Sequence, residues 1–179
     1  MKTVSLFLLF VSSVTLAQVQ LPTSETGQVQ YQEIVRIGDG KGPARPIFNQ
    51  IRTWAQQHYP IANEADLHYD QQHGIVFVRS LYSIGDQFIR YTLTVEAKIG
   101  RYRVTITDLI AEQGGLTQPV RPVSSSAEEV ERVAADSIKN SGLVEQVAAS
   151  QTEVYRQIDE VCRVTLASLK QSMTSAMKP

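Results

Sequence analysis

The chain predicts an α+β fold, a five-stranded antiparallel sheet with helices on one face, in the order strand, helix, four strands, helices. Three observations lead there. Apolar and polar residues alternate in five short runs, which is the period of two of half-buried strands. Other stretches repeat apolar residues at offsets of three and four, the period of amphipathic helices. The hairpins between residues 65 and 111 also agree with one another on which side of the sheet is apolar, and a slip of one residue in any of them would break that agreement.

The chain opens with MKTVSLFLLFVSSVTLA, in which Lys2 precedes an apolar run from Val4 to Val11 that ends in small residues. The run is too short to span a bilayer of roughly 30 Å. Thr15, Leu16 and Ala17 form a small-x-small cleavage site that leaves Gln18 as the new N-terminus, so export to the periplasm or the exterior is expected. No cysteine follows the run to accept a lipid, and no later stretch approaches the ~20 apolar residues of a membrane-spanning helix. Removal of 1–17 leaves 162 of the 179 residues (179 − 17), enough for one domain that buries roughly 70 % of the surface its unfolded chain exposes. With 17 basic and 18 acidic residues the net charge is −1, which makes neither a polyanion nor a membrane surface an obvious partner. Cys162 is the only cysteine; no intrachain disulfide can form, and a buried inert thiol is expected.

Residues 18–26 read as an arm, 27–112 as the sheet domain, 113–125 as a linker and 126–179 as C-terminal helices. The first strand runs from Gln28 to Ile37, with Val29, Tyr31, Val35 and Ile37 on its apolar side and Glu33 as the misfit there. The first helix runs from Pro46 to Tyr59 on Ile47, Phe48, Ile51, Trp54 and Ala55, with proline in its first turn and Pro60 as its stop. Turns at Gln72-His73, Gly85-Asp86 and Ile99-Gly100 then set Leu67 opposite Val78, Val78 opposite Leu93, and Leu93 opposite Ile106. In that register Glu96 faces Arg103 and Asp66 faces Arg79, both as cross-strand ion pairs. Ser126 with Glu129 opens a short helix to about Asn140 that Gly142 closes. A long helix follows from Leu143 to Met173, striped by Val147, Val154, Ile158, Val161, Cys162, Leu166 and Leu169. Thirty residues reach roughly 45 Å, more than the sheet can cover, so either the helix bends or its overhang packs against a second copy as a homodimer.

The LPTSETGQVQYQEIV opening, Trp54 in the helix, the YTLTVEAK strand and the GRYRVTITD strand resemble an exported bacterial family of unknown function, domain family 4468, described as having a fold like the TATA-binding protein. The resemblance covers residues 21–113. It implies a curved sheet with helices on the convex side and carries over no catalytic residue.

Chemistry is sparse. Asp66, His68 and Asp70 project from one side of one strand, with His73 in the following turn, and are weak candidates for Zn²⁺ or Ca²⁺; a polar sheet edge gives the same letters, and no metal or other cofactor is expected. There is no Gly-x-Ser-x-Gly elbow, and the GDGKG turn lacks the spacing of a phosphate loop. His58 reads as packing or capping its helix. Fold analogy raises DNA binding, but the outward face is threonine-rich with balanced charge, so no nucleic acid is expected. What stands out on that face is an apolar group, Ile75, Phe77 and Leu81, flanked by Arg79 and Arg90. Such a group is covered by the arm or the 113–125 linker, or it meets an unknown protein or small ligand. The expected function is an exported, non-catalytic binding or envelope-associated module. The alternatives are a periplasmic hydrolase with an unrecognised acid or metal site and a structural subunit of a surface assembly.

Overall fold

The computed structural model describes residues 18–59, 66–133 and 141–176. Residues 1–17, Pro60 and the expected end of the short helix at Asn140 lie outside them. Strands β1 (Tyr31–Arg36), β2 (Asp66–Asp70), β3 (Ile75–Ile84), β4 (Gln87–Lys98), β5 (Arg101–Gln113) and β6 (Leu116–Pro119) form one antiparallel sheet with helices α1 (Ala44–His58), α2 (Ala127–Val133) and α3 (Ser141–Ala176). The order is β1-β5-β4-β3-β2, with β6 on β5. All the expected apolar pairs are register partners: Leu67 with Val78, Val78 with Leu93, Leu93 with Ile106.

The sixth strand corrects the expectation of five. The stretch expected to be an aperiodic linker instead folds back on β5 through Gly114 and Gly115, both with positive φ, the backbone that tight hairpin turns demand. β1 and β6 share one edge of β5, and β4 occupies the other. The arm is likewise built into the fold. Gln20 bridges Val123, Thr23 bridges Val29, and Leu21, 1 % exposed, joins the core.

A bulge in β5 is the other unforeseen feature. The β4–β5 register slips between Arg90 and Thr92, and Asp108 takes φ 52°, a left-handed conformation that Asp tolerates better than most residues. The slip flips the alternation of β5. Tyr102, Val104 and Ile106 are buried before it and Leu109 after it, so the extra residue keeps both halves of a long strand on one core.

The core lies between the inner sheet face and α1 with α3. Ile47, Phe48, Ile51, Trp54 and Ala55 of α1 are buried together with Val76, Val78, Leu93, Val95 and Ile106. Glu33, the misfit on the apolar side of β1, is half-buried and pairs with Lys170 of α3 at 2.8 Å. Ser126 Oγ accepts the Glu129 N–H at 3.1 Å as expected of a cap, while the Glu129 carboxylate turns to Arg121 at 2.9 Å rather than back to the cap. Gly142 lies inside the first turn of α3, and the end of the short helix it was expected to close falls outside the described residues. α3 is one continuous helix. Its C-terminal half buries Ile158, Cys162, Leu169 and Met173 in the main core, and its N-terminal overhang buries Val144 and Ala148 against Val130 of α2.

Candidate binding face

The helices cover one side of the sheet and the outer side carries the polar alternation of strands β1 to β5. Register sets that side in rows. His68, Phe77, Thr94, Thr105 and Gln32 lie abreast across the sheet; Asp66, Arg79, Thr92 and Thr107 form the next row, and Leu81, Arg90 and Ile110 the one beyond. The predicted residues therefore come together in space. Phe77 sits at the centre, with Ile75, Leu81 and Arg79 two and four residues away along the same face of β3 and Arg90 directly opposite Leu81.

Ile75, Phe77 and Leu81 are half-buried by their strand neighbours, and Arg79 and Arg90 are exposed. The Arg79 guanidinium lies 5.3 Å from the Phe77 ring centroid, a cation–π contact that leaves its charge unneutralised. Arg90 meets Glu112 at 3.1 Å. The expected Glu96–Arg103 pair forms at 2.7 Å. Lys98 binds the same carboxylate at 2.6 Å and, with Arg103, holds Glu96 below the usual carboxylate range. Asp66 and Arg79 are register partners as expected, but no ion pair joins them. The Asp66 carboxylate turns instead to His68 Nε2 at 3.0 Å, because Arg79 is drawn over the aromatic ring.

Neither the arm nor the 113–125 stretch covers this face, contrary to one expectation. Val19, Leu21 and Val120 all pack with the core on the helix side. Phe88, 50 % exposed, extends the apolar group along β4. Sequence reasoning missed it, although Phe88 falls at even spacing from Arg90 and could have been placed on the face by carrying the β4 alternation two residues back.

The four metal candidates do not converge. Asp66 pairs with His68, and Asp70 with His73 Nδ1 at 2.6 Å. Among the described residues no three His, Cys, Asp or Glu side chains gather into a cation site. On the other side of the molecule a shallow cleft of about 370 Å³ lies between the C-terminal ends of α1 and α3, lined by Trp54, Gln57, His58 and by Ser168, Gln171, Ser172 and Ser175. Trp54 Nε1 donates to Ser168 Oγ at 3.2 Å, and the His58 ring stacks on the indole at 5.0 Å. Burial there lowers the His58 pKa from its ordinary value, which keeps the ring neutral and apolar enough to stack. Cys162 lies deep in the core, where burial pushes the thiol up to about 12; a thiol so far from ionising is a poor nucleophile.

Six antiparallel strands covered on one side by helices define an α+β fold of the TATA-binding-protein-like type. Solved structures that share it include the following two. A DUF4468 family protein from Bacteroides ovatus ATCC 8483 superposes with a TM-score of 0.58 at 13 % identity, over 89 % of this chain and 91 % of that one. A TBP-like protein from Parabacteroides distasonis ATCC 8503 superposes with a TM-score of 0.52 at 18 % identity, over 83 % and 96 %. At such identities the likeness is one of fold. No protein-family model matches the chain, and no curated protein does.

Proposed function

We propose that the protein is an exported, non-catalytic binding module whose outer sheet face receives a protein partner or ligand at Phe77. What supports this reading is the apolar group of Ile75, Phe77, Leu81 and Phe88 on the side of the sheet without helices, rimmed by Arg79 and Arg90. An apolar centre with a cationic rim is the composition of a contact surface, in which arginine and aromatic residues carry most of the binding energy. Export rests on the leader sequence of residues 1–17.

Photo-crosslinking in the native envelope tests the reading. A photoreactive residue at position 77 should give a discrete adduct that the same residue at position 160, on the outer side of α3, does not. Phe77→Asp should leave the melting temperature within a few degrees of the parent, because the ring lies outside the core, and should abolish that adduct. Equal labelling from both positions would remove the reading; unfolding of Phe77→Asp would assign the ring to structure instead.

A further inference from the structure

The end of the sheet where β4 turns into β5 carries a feature separate from the Phe77 group. Arg36 of β1 lies directly opposite Arg101 of β5, and Arg101 directly opposite Lys98 of β4, with all three on the outer side. Strands about 4.8 Å apart bring the three cations within roughly 10 Å, where directly opposed like charges repel. None of the nearby carboxylates pairs with Arg36 or Arg101: Glu96 is shared by Lys98 and Arg103, Asp70 holds His73, and Asp39 accepts the Lys41 backbone N–H at 3.0 Å, a contact that leaves its charge in place beside Lys41. Among the described residues Arg36 and Arg101 have no ion-pair partner.

The corner is held rigidly. Gly100 N–H donates to Gly42 O at 2.7 Å and Ile37 N–H to Gly100 O at 2.9 Å, which clamps the loop bearing exposed Lys41 over the hairpin. Gly100 has φ 66°, and a Cβ there would overlap the Gly40 carbonyl, so only glycine permits the contact. At the tip of this fixed hairpin Ile99 is 71 % exposed, and Ile34, two residues before Arg36 on the same face, is 57 % exposed.

Uncompensated cations explain attraction to an anion, and a rigidly presented isoleucine among them calls for an apolar phase beside that anion. A soluble polyanion would use the cations and leave Ile99 in water. We propose that this corner docks the protein on an anionic phospholipid surface, with Arg36, Arg101 and Lys41 against headgroup phosphates, Lys98 remaining paired with Glu96, and Ile99 entering the interface. The near-neutral charge of the whole chain conceals the site because net charge does not show that Arg36 and Arg101 lie opposite one another without a carboxylate on either. The inference is independent of the Phe77 reading.

Cosedimentation of the full chain with phosphatidylglycerol–phosphatidylcholine vesicles, and with phosphatidylcholine vesicles alone, tests it. Binding should require phosphatidylglycerol and weaken with added salt. Each cation near an anionic bilayer is worth about five-fold in partitioning, so Arg36→Gln with Arg101→Gln should weaken binding about 25-fold. Ile99→Ser should weaken it about ten-fold while leaving the melting temperature unchanged. Arg132→Gln with Arg156→Gln, charge-matched on exposed positions of α2 and α3, should retain binding. Equal binding to both vesicles, which the apolar leader alone would produce, overturns the proposal; so does equal loss in the charge-matched variant. Retention on heparin together with unchanged vesicle binding of Ile99→Ser would make the corner a polyanion site and overturn it as well.

Discussion

Single residues carry much of this fold through their position in the core. Trp54 is buried against Tyr59 edge-on at 5.8 Å, under the stacked His58 ring, with its indole N–H donated to α3. Trp54→Ala should therefore cost about 3–5 kcal/mol in urea denaturation, the range for deleting a large buried aromatic. Glu96 makes a prediction about pH. Its folded pKa is depressed by Lys98 first and by Arg103, so its stabilisation is present above the unfolded carboxylate range and is lost as pH falls through the folded value. Glu96→Gln should lose about 0.2–1 kcal/mol per ion pair at neutral pH. That deficit should close in acid, as measured by denaturation of parent and variant across the pH series. The Glu96–Arg103 pair was legible in the sequence because register alone sets it. The Asp66–Arg79 pair was not, since two side chains in register can still choose other partners, and here an imidazole and a phenyl ring compete.

The elements divide by how well their ends were specified. The hairpins were legible because each turn had to satisfy the alternation of its neighbours as well as its own. β6 escaped detection because its four residues, LTQP, show no alternation and are all exposed; only the Gly114-Gly115 pair signalled a hairpin. The β5 bulge had no signal beyond the change from even to odd apolar positions at Ile106 and Leu109. α3 is held unequally along its length. Its C-terminal half shares the main core with the sheet, and its N-terminal overhang shares only a small cluster with α2. Leu169→Ala, at a fully buried site, should cost about 2–5 kcal/mol. Val144→Ala should cost about 1–2 kcal/mol and should speed amide exchange in α2 and the first turns of α3 while leaving the sheet protected. Uniform protection along α3 would contradict this division.

For the whole molecule, the overhang of α3 bears on assembly. Of the stripe that suggested a homodimer, Val147 packs with α2, and Val154, Ile158, Cys162, Leu166 and Leu169 pack with the main core. Among the described residues, Leu143 and Val164 are the large apolar side chains left exposed on α3, with Ser150 and Gln157 between them at heptad spacing, too polar a seam for a coiled coil. Sedimentation at tens of micromolar should accordingly give a monomer. The candidate face was legible in composition, since strand alternation places Ile75, Phe77, Leu81, Arg79 and Arg90 outward whatever packs on the other side. Whether the arm would cover it was not.

The sequence by itself determined the class of fold, the order of its main elements and the inward side of each long strand, because periodicity and turn spacing are local properties that must agree along one chain. Tertiary structure alone decided where the arm and the 113–125 stretch lie, how Glu33 finds Lys170, and that Arg36, Arg101 and Lys98 fall in one row. Those outcomes depend on which distant segments share an edge, and the free energy that selects the edge belongs to the packed core rather than to any local pattern.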